Sequence, residues 1–583
     1  MKRVGLIVVE ALCALAAFGQ GTGDESVQPS LTNAVKVSVD PAVEPIKDLR
    51  QLKAGAGFGF NSFLGESAHA NADWYYNVDK DNTAKAFAES GTRIVRVQDA
   101  QIHFQGDRAE RVRFATTYRR FDWGRAALDM SKPRHWTDAS NVFGFFKRQG
   151  MKVILCLEGA VYDSEKDAMT SDVDKVEKVT LDYLKWIRDN GYADCVIGVE
   201  LENEPYFSSK PDSFARRWNQ IVPKMRALWS DLAIGLPISI YQQNDPDLEA
   251  VRRRGQLKDA LEGPAHTAAH VNQWTGNAIT SMSPEVMSNI THVIIHTYGA
   301  NGSYTANYGG IEKARRMRKI YPEIDGKPFW ITEWRDRSDE DHVCHRRFVT
   351  TLWKAQYLQM VVAQPDVDAT FLHSNGTCAG NLYQSNGKTW VLQVDESGKR
   401  GGLCDTTGNG QWRLDVGTAG PLFRIFLHAF DRHPLVLAHG DEKGFGFNAN
   451  TRMYDADVAR MFARRDGKVE PPRVTDLTWV IAADAKRKSY AFLLVNTHEE
   501  PRHVNLSVSG CTFGDGIVRS ITCTPGLERA LEIPGEPKPW RVNAYQKSFN
   551  GGLTLPAQSI VVVEAAVRPS AKAAEKKNPD LPD

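Results

Sequence analysis

Between residues 54 and 435 the chain alternates short apolar runs with stretches of helical periodicity. The apolar runs are AGAGFGFNSF (54–63), TRIVRVQ (92–98), MKVILCLEG (151–159), DCVIGVELENEP (194–205), LAIGLPISIY (232–241), THVIIHTYG (291–299), KPFWITEW (327–334) and VDATFLHSN (367–375). Helix patterns lie between them, such as DVDKVEKVTLDYLKWIRDN before the fourth run, IEKARRMRKIY before the seventh and HRRFVTTLWKAQYLQMVVAQ before the eighth. Strand followed by helix is the pattern of a parallel α/β fold. Eight such units in one block predict a closed (β/α)8 TIM barrel over 50–435 rather than an open doubly wound sheet.

After residue 436 the helical period disappears. TWVIAADAKRKSYAFLLVNTHEEPRHVNLSVSG and GLTLPAQSIVVVEAAV are strand-like runs broken by turns, and they predict a C-terminal antiparallel β-sandwich over 436–567. AVKVSVD (34–40) also alternates, so a strand within 34–49 is expected to join that sandwich. The segment 568–583 is charged and rich in Pro and Ala, a composition that does not support a packed core.

At 583 residues, 42% of them hydrophobic and 25% charged, the chain has ample material for a large core and the composition of a soluble globular protein. Its 72 Lys plus Arg nearly cancel its 71 Asp plus Glu, so no global field draws nucleic acid. The N-terminus MKRVGLIVVEALCALAAFGQG has basic residues, an apolar run and then small residues, which reads as a signal peptide over 1–19 and a secreted or periplasmic protein. Elsewhere no apolar run is long enough for a transmembrane helix. Outside the signal the cysteines are seven, with no CxxC or Cys/His ligand spacing, so no metal is expected. Cys378 with Cys404 and Cys511 with Cys523 are the local pairs for disulfides, whereas Cys156 and Cys195 read as core thiols.

The ends of barrel strands converge on one mouth, where such folds keep their chemistry. The fourth run ends in Asn203, Glu204 and Pro205, and the seventh in Thr332, Glu333 and Trp334. Strands four and seven stand on opposite sides of an eight-membered ring, so Glu204 and Glu333 face each other across its mouth. Two such carboxylates are the equipment of a retaining glycosidase, one protonating the leaving oxygen and one attacking the anomeric carbon. Arg96 and Tyr298 are placed to favour an ionised Glu333 by charge and by hydrogen bond. Asn203 is placed to hold the hydroxyl beside the anomeric carbon. His296 fits either the site wall beneath Tyr298 or a satisfied core position. Trp274 and Trp334 are candidate sugar platforms, and His373 and Trp390 candidate pocket residues.

These motifs resemble clan A glycoside hydrolases, (β/α)8 enzymes with an acid/base at Asn-Glu-Pro on strand four and a nucleophilic Glu on strand seven. The resemblance rests on NEP at 203–205, ITEW at 331–334, H-x-Y at 296–298 and Arg96, and it covers about 50–435. Glu200 also matches, since relatives place a Glu four residues before the acid/base. Glu202 departs from the pattern, standing where they have an aromatic ring. The sandwich resembles the accessory domain of families 30, 39, 51 and 79. The resemblance implies Glu204 as acid/base, Glu333 as nucleophile, a polysaccharide or oligosaccharide substrate and no cofactor.

Loops at 99–140, 242–290 and 374–415 are long enough to wall the mouth, which leans toward an endo-acting β-glycanase over an exo-acting α-L-arabinofuranosidase or β-xylosidase. A silent carbohydrate-binding protein on the same scaffold is the competing class. G-x-S-x-G and H-E-x-x-H, the marks of serine hydrolases and zinc proteases, are absent. Export makes a direct prediction: N-terminal sequencing of the secreted protein returns a chain beginning at Ala17 or Gln20.

Overall fold

The eight apolar runs form eight parallel strands, each paired with the next in sequence. They are β1 Phe58–Asn61, β2 Ile94–Val97, β3 Lys152–Leu157, β4 Val196–Leu201, β5 Ala233–Pro237, β6 His292–Ala300, β7 Phe329–Arg337 and β8 Val367–His373, and β8 pairs with β1 to close the barrel. This computed structural model describes residues 34–53, 55–61, 90–98, 100–106, 108–109, 112–113, 139–240, 268–300, 304–337, 348–373, 381–385, 391–394, 401–404, 411–415, 419–442, 452–453, 473–527 and 537–570. The expected signal, the tail beyond 570 and Cys378 lie outside them.

The barrel interior is packed by Ile94, Ile154, Ile197, Ala233, Ile294, Trp330, Ala369 and Phe371. Trp330 is accommodated because β4 and β5 carry glycine opposite it. A Cβ on Gly198 would stand 2.5 Å from Trp330 Cη2, and one on Gly235 would stand 2.4 Å from Ile294 Cδ1 and 3.2 Å from Trp330 Cε3. The glycines in CVIGVEL and LAIGLP are thus the space that one large indole occupies.

Around the ring lie α1 Ala139–Gln149, α2 Val173–Asp189, α3 Pro211–Leu228, α4 Ala268–Ser281, α5 Tyr304–Ile320, α6 Phe348–Val362 and α7 Ala419–Arg432. α2 begins where the Asp172 carboxylate accepts the Lys175 backbone N–H at 3.1 Å, an N-cap that satisfies an otherwise orphaned donor. α6 has no solvent face: every residue from Thr351 to Val362 is buried. A helix apolar all round must be covered all round, and α6 is, since it lies between the barrel and the second domain. Its Gln356 donates to Thr475 O at 2.7 Å and its Gln359 to Leu493 O at 2.8 Å, so its polar side chains satisfy the sheet laid over it. Among the described residues no helix is long and apolar enough to cross a membrane.

That sheet has seven antiparallel strands in the order Lys47–Asp48, Leu435–Asp441, Leu477–Ala483, Ser489–Asn496, Ser559–Pro569, Cys511–Cys523 and Trp540–Ser548. A three-stranded sheet faces it, in which Val35–Val39 pairs parallel with Arg502–Val508 and Gly552–Leu555 closes the other side. Val37, Phe492, Leu506, Leu555 and Val563 are among the side chains buried in the sandwich core.

One expectation from the cysteines fails. Cys511 and Cys523 stand at the two ends of a single 13-residue strand. At roughly 3.3 Å per residue they stand about 40 Å apart, far beyond disulfide reach. Cys156 and Cys195 are buried, as core thiols should be.

Gly198→Ala is expected to destabilise the protein by about 1–3 kcal/mol through overpacking against Trp330. The added Trp330→Leu substitution should return part of that loss, as read from urea midpoints of the single and double variants.

Candidate active site

The site is built outward from Arg96. Alternation along β2 turns Ile94, Arg96 and Gln98 to the interior, and Arg96 is wholly buried there. Its Nε donates to Glu200 Oε2 at 2.7 Å and its Nη2 to Glu200 Oε1 at 2.9 Å. Nη2 also reaches Asn203 Oδ1 at 2.7 Å, while Nη1 reaches Glu333 Oε1 at 2.9 Å. One planar fork therefore ties β2 to the ends of β4 and β7. Burial works against the charge on Arg96, yet the anions around it, Glu200 foremost, hold its pKa well above the ordinary value. Burial likewise works against a charged Glu200, and Arg96 and His296 together hold that carboxyl below the usual range.

Glu333 reaches the site through a backbone irregularity. Ile295 of β6 pairs with Ile331, but His296 pairs with Glu333, so Thr332 is an extra residue on β7. Such a bulge re-aims side chains, and here it turns Thr332 and Glu333 inward together. Trp334 then points outward, where it stacks on Tyr357 of α6 at 3.8 Å between ring centroids. At 1% exposure Trp334 is part of the wall between barrel and helix, so its expected role as a sugar platform is corrected. Glu333 Oε1 accepts from Arg96 and from Gln98 Nε2 at 3.1 Å, and its Oε2 lies 3.4 Å from His296 Nδ1.

The end of β4 departs from strand geometry as well. Glu202 and Glu204 have φ of +68° and +44°, left-handed values rare for residues with a Cβ. The two turns let Asn203 reach Arg96 and let Glu204 face the mouth, where a straight strand would send neighbouring side chains to opposite faces. Glu204 is 23% exposed against 3% for Glu333. Its Oε1 accepts from Tyr206 Oη at 3.1 Å and lies 2.9 Å from His296 Nδ1.

His296 sits between the two carboxylates, its Nδ1 2.9 Å from Glu204 Oε1 and 3.4 Å from Glu333 Oε2. Its Nε2 lies 3.0 Å from Thr332 Oγ1, which is in turn 3.4 Å from Glu200 Oε1. Burial presses the imidazole toward its neutral form, but Glu333, Glu200 and Glu204 outweigh burial and hold the pKa up to about 10. At neutral pH the ring therefore carries both protons, Nδ1–H directed to Glu204 and Nε2–H to Thr332.

Trp274 is also corrected from platform to packing. It is 1% exposed, lies edge-on to Phe214 of α3 and Tyr206 at 5.0 and 6.1 Å, and donates its indole N–H to Ser209 O at 2.8 Å. Tyr298 follows His296 by two residues on β6 and His373 ends β8, and both side chains lie outside the described residues, as does Trp390. Gln98 and Tyr206 entered the site without being singled out in the sequence, where Thr332 is named only as part of the seventh run's end. Only Gln98 had a readable signal there, its spacing of two from Arg96.

Among the described residues, Glu204, His296 and Glu333 bring one ligand atom each within 4.8 Å of one another, the donor types of a cation site. A metal needs the neutral imidazole, and the carboxylates that surround His296 favour its charged form instead. The arrangement suits proton transfer and charge stabilisation between two acids.

No protein-family model matches the sequence, and no curated protein matches it. Solved structures do match in shape. An α-L-arabinofuranosidase from Thermotoga maritima, in complex with arabinose, superposes with TM-score 0.56 at 12% identity, covering 91% of this chain and 99% of that one. A family 51 α-L-arabinofuranosidase from Bifidobacterium longum gives 0.53 at 12% identity, with 92% and 100% covered. A glucosidase from Croceicoccus marinus gives 0.50 at 11% identity, again with 92% and 100% covered.

His296 also yields a pH prediction. Its folded pKa lies above the unfolded value of roughly 6.5, so its stabilising contribution is complete below about pH 6.5 and declines as pH rises toward about 10. Urea midpoints of the wild type should fall more steeply over that window than those of His296→Gln. At the identities above the likeness is one of fold, and this chain shares the (β/α)8 barrel with attached β-sandwich of those enzymes.

Proposed function

We propose that the protein is a retaining glycoside hydrolase in which Glu204 is the acid/base and Glu333 the nucleophile. The observation that carries this reading is the pair of acids across the barrel mouth, with ligand oxygens within 4.8 Å of each other. Retaining enzymes hold their two carboxyl groups about 5–5.5 Å apart, whereas inverting ones need roughly 6.5–9.5 Å to seat a water between acid and sugar.

The hydrogen bonds divide the labour. Glu333 Oε1 is occupied by Arg96 and Gln98, leaving Oε2 to attack the anomeric carbon. As the glycosidic bond breaks, Glu204 gives its proton to the departing oxygen. His296 Nδ1 lies 2.9 Å from Glu204 Oε1, a direct contact for proton exchange between the coupled groups. Glu204 then takes a proton from water, the water oxygen bonds to the anomeric carbon, and Glu333 departs as a carboxylate. Asn203, oriented by Arg96, presents its amide to the adjacent sugar hydroxyl, a contact that strengthens in the transition state.

For substrate, the long segments between strands support endo action on a polysaccharide. The second reading, an exo-acting α-L-arabinofuranosidase, is favoured by the activities of the solved structures of similar shape. A panel of polysaccharides and aryl glycosides separates the two. NMR of the first-formed product should show the anomer of the substrate, and inversion would overturn the mechanism. Glu333→Ala is expected to reduce turnover to background, and Glu204→Ala to lower it by about 10²–10⁴-fold on substrates with poor leaving groups. Unchanged turnover in Glu333→Ala would remove it as nucleophile.

A further inference from the structure

Glu202 stands where the resembled enzymes carry an aromatic ring, and it is 3% exposed with no solvent to hydrate its charge. Its Oε1 accepts from Arg217 Nε at 2.9 Å, Arg217 Nη2 at 2.7 Å and Trp218 Nε1 at 2.9 Å. Its Oε2 accepts from Ser209 Oγ at 3.0 Å. The carboxylate thus fastens residue 202 to residue 209 and both to α3, enclosing the short helix Pro205–Ser208 that follows Glu204. Its backbone N–H is held by Leu157 O at 2.7 Å, at the end of β3. Room for the side chain comes from Gly159, where a Cβ would stand 2.4 Å from Glu202 Oε2. Ser209 O receives the Trp274 indole N–H, which extends the clamp to α4. Tyr206, inside the enclosed segment, donates to Glu204 Oε1.

A left-handed residue with a Cβ persists only where its surroundings over-determine it, and Glu202 and Glu204 are both of that kind. We propose that Glu202, through its clamp on Arg217, Trp218 and Ser209, is a positioning residue that fixes the acid/base Glu204 in its left-handed, mouth-facing conformation. The proposal rests on the glycosidase reading above. Glu202 does not touch the reacting atoms. It sets the direction from which Glu204 delivers its proton.

A misplaced acid impairs only those bonds whose cleavage needs a proton, and this separates positioning from general structural damage. The test measures kcat/KM, which reports the first half-reaction, on two substrates with the same sugar. One has a 2,4-dinitrophenyl leaving group that departs without protonation, and the other an alkyl or sugar leaving group that requires it. For Glu202→Gln the expected loss on the second substrate is on the order of 100-fold, while the first changes by less than about threefold because the acid takes no part. Trp218→Phe, which removes one N–H and keeps the ring, should show a smaller loss of the same selectivity and decides the matter if Glu202→Gln does not fold. Equal losses on both substrates, or full activity on the second, would overturn the proposal. A wild type inert on both substrates overturns the glycosidase reading and this proposal with it, a result distinct from equal losses in the variants.

Discussion

A guanidinium with no exposure to solvent sits at the centre of the barrel mouth, and everything around it answers to its charge. Arg96 is buried together with Glu200, and the two form a bidentate pair with Glu333 and Asn203 on the remaining donors. Removing a partner from such a pair leaves an uncompensated buried charge, at a cost of about 3–5 kcal/mol. The network therefore specifies relative position as well as charge, because two chain segments distant in sequence must meet one rigid fork on a third. A lysine could supply the charge but not the planar arrangement of donors.

Regular secondary structure cannot bring these groups together. A strand with period two presents every second residue, as Arg96 and Gln98 keep to at and just after β2, yet Thr332 and Glu333 both face inward. The bulge on β7 and the left-handed turns after β4 are the two departures that complete the site. Each left-handed residue costs about 1–3 kcal/mol, and the dense hydrogen bonding of Glu202 with Arg217, Trp218 and Ser209 is the kind of surrounding that can sustain it. Local rules fail where the chain does chemistry, as expected when strain is held by the structure nearby.

This explains what was legible in the sequence. The eight strands, α2, α5 and α6 were readable because apolar periodicity is a local signal, and strand-end position made Glu204, Glu333, Arg96 and Asn203 readable as a set. Burial from the second side was not readable. Trp334 follows Glu333 on β7, but the bulge turns it to Tyr357, and Trp274 lies in a helix whose partner face is supplied by Phe214 and Tyr206. Both corrections have the same origin, since an indole near a mouth in sequence is indistinguishable from one packed behind it until the helix layer is placed. Glu202 was opaque because its partner Arg217 lies fifteen residues on, within a helix. Cys511 and Cys523 looked paired by proximity in sequence, and the extended strand between them is what separates them.

The difference in exposure between the two acids follows the chemistry that the proposed mechanism requires of each. A nucleophile must be an anion before reaction and again after it, so it gains from permanent donors and loses little by enclosure. Glu333, 3% exposed, has those donors in Arg96 and Gln98. An acid/base must release a proton in one half-reaction and recover one from water in the next, so it needs a path to solvent and a neighbour able to hold a proton meanwhile. Glu204, 23% exposed beside a charged His296, has both. In that mechanism His296 couples the two roles, since its Nδ1 lies 3.4 Å from Glu333 Oε2 on one side and 2.9 Å from Glu204 Oε1 on the other.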